Sequence, residues 1–210
     1  VTDETEQPRK EPLLNAPWPS IAVVLVILVG FIWQSRHSPI FTDAYALSVP
    51  ALRAGRWEVL VTHLFLHAGV SHLLVNSGAA IAFGPPVARL LGTGAKGAGL
   101  YFTFFLVCGV ISAAGFLALH TRDGAAAIGA SGAVSGLWGA ASRLVAHRGV
   151  LSPITSRPVV IQAIVFVAIN VGIGVLGGMA GYGIAWEAHL AGYAAGLLLV
   201  GPFVRLAGKA

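Results

Sequence analysis

Three groups of polar residues interrupt otherwise apolar sequence, and their types are those of acyl-transfer chemistry. They are Ser131 within Gly129-Ala-Ser-Gly132, His189 heading His189-Leu-Ala-Gly192-Tyr-Ala-Ala-Gly196, and the pair His72 and Asn76 in His72-Leu-Leu-Val-Asn76. A serine hydroxyl becomes a strong nucleophile beside a general base, and histidine is the commonest base near neutral pH. His72 and Asn76 stand four residues apart, on one face of a helix, where both can point donors at a developing oxyanion. Ser131 and His189 lie far apart in the chain, so any joint chemistry depends on the elements that carry them.

Those elements are membrane helices. Of 210 residues only 10% are charged, against roughly 25% in ordinary soluble domains. Hydrophobic residues make up 56%, there are 27 glycines, and mean hydropathy is +0.81. This composition excludes most soluble folds and fits apolar helices packed through small side chains. No basic cluster is interleaved with aromatics, so nothing points to nucleic acid. Cys108 is the single cysteine, which excludes an intrachain disulfide.

Charge-free stretches run over 12–35, 59–88, 97–121, 124–142, 158–186 and 188–204. Each approaches or exceeds the ~20 residues a spanning helix needs. The expected fold is all-α, with six transmembrane helices at Pro19–Gln34, Ser71–Leu90, Ala98–His120, Ser131–His147, Val159–Leu176 and Trp186–Leu206. Residues 18–207 form the membrane domain, and residues 1–17 form a charged tail. Trp18 and Trp33 bracket the first span as interfacial anchors, and no small-residue cleavage site follows it, so it reads as a span rather than a cleavable signal peptide.

A cytoplasmic N-terminus puts nine of the 13 Lys and Arg inside and leaves Arg36, Arg53, Arg56 and Arg122 outside. That bias favours both termini inside. The amphipathic segment 36–70, with Phe41, Tyr45, Leu52, Trp57, Leu60, Phe65 and Leu66 among polar groups, then lies in the outer interface. The second, fourth and sixth spans share one direction, so His72, Asn76, Ser131 and His189 fall at similar depth in the outer leaflet. Gly132, Gly136 and Gly139 follow the serine, and Gly192 and Gly196 follow the histidine. This small-xxx-small spacing lets two backbones approach closely enough for a side-chain hydrogen bond. Gly129 and Gly132 also free the backbone around Ser131 for a tight loop-to-helix turn whose amide faces the reaction.

These three motifs, together with Thr62-His63-Leu-Phe-Leu-His67 upstream of His72, resemble the rhomboid intramembrane serine proteases over about Trp57 to Leu199. The resemblance implies Ser131 as nucleophile, His189 as general base and then acid, and the Ser131 amide with His72 and Asn76 as oxyanion donors. It implies transmembrane proteins as substrates, cut at small residues near helix-weakening ones, in the cytoplasmic membrane of a bacterium. The site would open outward beneath the loops near 121–130 and 177–184, with the fifth span as a gate towards lipid. No cofactor or metal is implied.

The sequence departs from the family at three places. Ser135 stands where members often carry a Tyr that stacks on the catalytic histidine, leaving space that Tyr193 or Trp138 would fill. Ala88 stands where an acidic residue commonly precedes a glycine, here Gly92, and Trp57-Glu58 does not match the usual Trp-Arg pair.

Other readings are weaker. His63-x-x-x-His67 has helical metal-ligand spacing, and His72 could add a third ligand. No carboxylate accompanies them as in His-Glu-x-x-His, so structural hydrogen bonding of the first loop is the better reading. Glu187 is two residues from His189 and points elsewhere on a helix, which leaves a dyad rather than a triad with an acid. Gly172-Ile-Gly-Val-Leu-Gly177 matches a dinucleotide fingerprint by count but lacks a βαβ context. A catalytically inactive rhomboid-like binder would usually have lost the serine or the histidine. A transporter would carry polar groups across both leaflets.

Overall fold

The computed structural model describes residues 16–122, 124–146, 149–179 and 183–209. Nine α-helices are present among them: α1 (Trp18–Ser35), α2 (Pro39–Tyr45), α3 (Val49–Arg53), α4 (Val59–Thr62), α5 (Val70–Leu91), α6 (Ala95–Leu119), α7 (Ser131–Ser142), α8 (Arg157–Met179) and α9 (Trp186–Leu206). The chain is an all-α bundle, and six of these helices lie at the expected spans. The tail over 1–15 lies outside the described residues, as do His147, Arg148 and positions 180–182 of the loop before α9.

Four of the six, α1, α6, α8 and α9, are each long and apolar enough to cross a membrane. The fifth, α5, is joined to the short helical stretch Val59–Phe65 through a 97° bend, and it carries the polar His72 and Asn76 and an internal Pro85-Pro86 pair. The fourth expected span needs correction. It was expected to reach His147, whereas α7 stops at Ser142 after 12 residues, about 18 Å of helix and short of the ~30 Å apolar core of a bilayer. Arg143 ends it. Its guanidinium donates to the carbonyls of Ser152, at 2.9 Å, and Leu197, at 3.4 Å, while its own carbonyl accepts from the Ser152 amide. This charged side chain is held by backbone oxygens, and the chain turns to supply them.

Short α7 sits at the centre of the bundle and packs on α5, α6 and α9. Its contacts are made through missing side chains. A Cβ on Gly192 would strike the Gly132 carbonyl oxygen, and one on Gly196 would strike that of Gly136. A Cβ on Gly139 would strike the Tyr193 carbonyl. The expected close approach of these two helices is therefore realised. The glycines also serve α6: a Cβ on Gly132 would meet Ser112, and one on Gly136 would meet Cys108.

The segment 36–70 folds as α2, α3, α4 and a 3-10 turn, His63–Phe65. Val59 and Leu47 are buried with Ala113, Phe116 and Ala188 in a small satellite core, onto which Leu52 and Leu60 pack, whereas Trp57 and Ile40 are exposed. Its one extended piece, β1 (Leu47–Ser48), pairs antiparallel with β2 (Ala126–Ala127) in the loop ahead of α7, Leu47 opposite Ala127. Gln34 of α1 clasps the same segment, its side chain bonding both the amide and the carbonyl of His67 at 2.8 and 2.9 Å. The loop that leads to Ser131 is thus tied to an anchored neighbour.

Candidate active site

The N-terminal turns of α5, α7 and α9 converge. His189 Nε2 lies 2.8 Å from Ser131 Oγ, and both residues are half-buried, so a reactant can still reach them. The shared depth expected from topology brings these two together.

His72 joins them from α5. Gly129 has φ +121°, a conformation that L side chains rarely adopt. A Cβ there would lie 2.7 Å from His72 Nε2 and 3.8 Å from Ser131 Oγ. Glycine therefore keeps open the small space that the histidine ring and the serine share. The Ala68 amide donates to His72 Nδ1 at 3.3 Å, so the proton sits on Nε2, the nitrogen facing Gly129. The first amides of α7 have no intrahelical carbonyl to bond, which makes the Ser131 N–H a donor at the same place. Asn76 is buried one turn further along α5 and spends one amide hydrogen on the His72 carbonyl, at 3.0 Å. That bond ties its position to that of His72.

Glu187 accepts from His120 Nε2 at 2.7 Å, away from His189. Neither candidate aromatic stacks on His189. Tyr193 lies flat on Phe166 of α8, centroids 4.1 Å apart, and donates to Ser142 at 2.8 Å. Trp138 stacks on Phe83 and meets Phe166 edge-on. His63 bonds the Val59 carbonyl through Nδ1 at 2.7 Å, and among the described residues no group of His, Cys, Asp or Glu is arranged to hold a metal ion. His67 is buried against the His72 and Phe31 rings. Burial, and next the neighbouring His72, hold its imidazole well below the usual range, at about 4.

One contact was not legible in the sequence. Asn170 of α8 turns its side-chain oxygen to His189 Nδ1 at 2.8 Å. A cavity of about 750 Å³ lies elsewhere, between α5, α7 and α8 at the far end of α7 from Ser131, lined by Phe83, Arg89, Trp138 and Gln162 among others.

The fold and site define a multi-pass, all-α membrane protein with a serine and a histidine joined across two helices. Residues 54–206 match the model of the Rhomboid domain, and the chain belongs to the rhomboid family, whose members are typically serine proteases. It is 31% identical over 145 residues to the protein named "Putative rhomboid protease YdcA" of Bacillus subtilis (strain 168), covering 69% of this chain and 66% of that one. It is 38% identical over 133 residues to RHOMBOID-like protein 9, chloroplastic, of Arabidopsis thaliana, covering 58% of this chain and 28% of that one. The chain thus spans less than two thirds of the length of either relative.

Proposed function

We propose that this chain is an intramembrane serine endopeptidase that cuts peptide bonds in or near transmembrane segments of other membrane proteins. The observation that carries this reading is the 2.8 Å hydrogen bond between Ser131 Oγ and His189 Nε2, made between the first turns of two helices whose glycines allow backbone contact.

Ser131 Oγ attacks the scissile carbonyl carbon while its proton passes to His189 Nε2. The oxyanion of the tetrahedral intermediate accepts from the Ser131 amide and from His72 Nε2–H, with Asn76 Nδ2–H as the further donor. Collapse breaks the C–N bond, and His189 Nε2–H protonates the departing amine. Water then enters, gives a proton to Nε2 and attacks the acyl carbon; collapse breaks the C–Oγ bond, and Nε2–H returns its proton to Ser131 Oγ. Residues 18–207 act as one membrane domain with the 1–17 tail in the cytoplasm, and the site opens to the outer face of the cytoplasmic membrane.

A fluorophosphonate probe tests this on the detergent-solubilised protein. Wild type is expected to label, and Ser131→Ala and His189→Ala to lose labelling by at least about 10³-fold. Equal labelling of all three sinks the protease reading in favour of a rhomboid-like protein that binds membrane clients without cutting them.

A further inference from the structure

We infer that Asn170, on α8, is a positioning residue for His189, so that the base is aligned only when the most lipid-exposed helix is seated against the bundle. The inference rests on the Ser131–His189 reading and adds a third member that neither the motifs nor the relatives' names supply.

A neutral imidazole has two tautomers, and only the one with its proton on Nδ1 leaves the Nε2 lone pair free to take the serine proton. Asn170 selects that tautomer. Its Nδ2 donates to the Phe166 carbonyl one turn back at 2.9 Å, which fixes the amide with Oδ1 towards His189. Oδ1 accepts only, so the Nδ1 it faces at 2.8 Å must carry the proton. Asn170 is 6% exposed although its neighbours Ile169 and Val171 are 42% and 45% exposed. It is a buried polar group on a helix that is otherwise turned largely to lipid, and such a group requires a partner. The stripe that seats α8 is short. Val159 and Phe166 are buried on it, Gln162 accepts from Trp138 Nε1 at 3.4 Å, and Gly174 lies 3.0 Å from the Trp186 ring, measured from a Cβ built on the glycine.

Saturation kinetics with a fluorophosphonate probe test the role, with Ser131→Ala as the blank. Asn170→Leu, of similar volume but without an acceptor, is expected to lower the maximal labelling rate about 10- to 100-fold with the half-saturating concentration unchanged. Asn170→Asp, which restores an oxygen acceptor, is expected to recover most of that loss. The 15N spectrum of histidine-labelled protein is expected to report an Nδ1–H His189 in wild type and a tautomer mixture in Asn170→Leu. Wild-type labelling rates in Asn170→Leu overturn the inference and leave the dyad standing. A loss that Asn170→Asp does not recover also overturns it, because the position then matters for packing alone. Absence of labelling in wild type removes the dyad reading itself.

Discussion

Helices α7 and α8 are neighbours with opposite ways of belonging to the bundle. From Gly132 to Ser142 nearly every residue of the 12-residue α7 is buried, and those residues are small: four glycines or alanines and a serine fall between Gly136 and Ser142. Helix α8 is 23 residues long, yet only 17% of its most apolar stretch is buried. Ile164 is 63% exposed and Leu176 is 67% exposed. Lipid tails solvate Ile and Val as well as protein does, so large apolar side chains give α8 no reason to dock. Missing side chains, by contrast, let α7 and α9 gain dispersion contacts that lipid cannot match. Stability of the site is therefore concentrated on the α7–α9 side, and freedom to move on the α8 side. The Ser131–His189 hydrogen bond lies on the first, and the bond from Asn170 to His189 comes from the second.

The contrast is easiest to break where the backbones touch. Gly196→Val would drive a branched side chain into the Gly136 carbonyl and is expected to destabilise the protein by about 3–5 kcal/mol. A thermal melt in detergent checks this, and a melting temperature within a degree of wild type would refute the close-packed interface. Next comes the α8 side. Ala82 of α5 and Gln162 of α8 both line the cavity between those helices. Cysteines placed at both positions and joined by a bifunctional cross-linker are expected to cut cleavage of a transmembrane substrate about tenfold or more. Fluorophosphonate labelling is expected to persist, because the small probe needs no helix to part and Asn170 stays seated. Full cleavage after cross-linking would count against α8 as the entrance.

Acid should loosen the segment that leads into α5, which Gln34 of α1 holds through His67. His67 titrates near 6.5 when unfolded and at about 4 when folded, so the unfolded chain binds the extra proton between those values. Its contribution to stability is complete above about pH 6.5 and is lost as pH falls towards 4. Melting temperature is expected to drop over that window in wild type and to drop less in His67→Leu, and parallel curves would remove His67 from the account. The smallest effect belongs to α8: a Cβ on Gly172 meets no atom within 4 Å. Gly172→Ala is expected to change stability by less than about 1 kcal/mol, in the stabilising direction. A loss as large as that of Gly196→Val would erase the difference between the two helices.

Much of this was legible in the chain. The charge gaps fell on six helices, with Trp186–Leu206 at the same ends as expected, although α7 proved too short for the span assigned to it. Spacing of Gly132, Gly136, Gly192 and Gly196 announced the contact between α7 and α9, because close approach in lipid depends on small residues and little else. Helix direction brought Ser131, His189 and His72 to one end. Less was legible where a partner had to be chosen. The gap left by Ser135 pointed to Tyr193 or Trp138, and both rings instead pack around Phe166.

Apolarity and glycine spacing are properties of each segment on its own, so the sequence by itself determined the helices, their shared direction and the residue types able to act as nucleophile, base and oxyanion donors. Tertiary structure alone decided that α7 ends at Arg143, where backbone carbonyls of distant residues capture the guanidinium. It alone decided that Glu187 turns to His120 and that Asn170 turns to His189. After Arg157, and apart from Gln162 and Asn170, the side chains of α8 are apolar or glycine, so its sequence marks only weakly which face turns inward. Its rotation about its own axis comes from the packing of Phe166 on Tyr193, and with it the hydrogen bond that reaches His189.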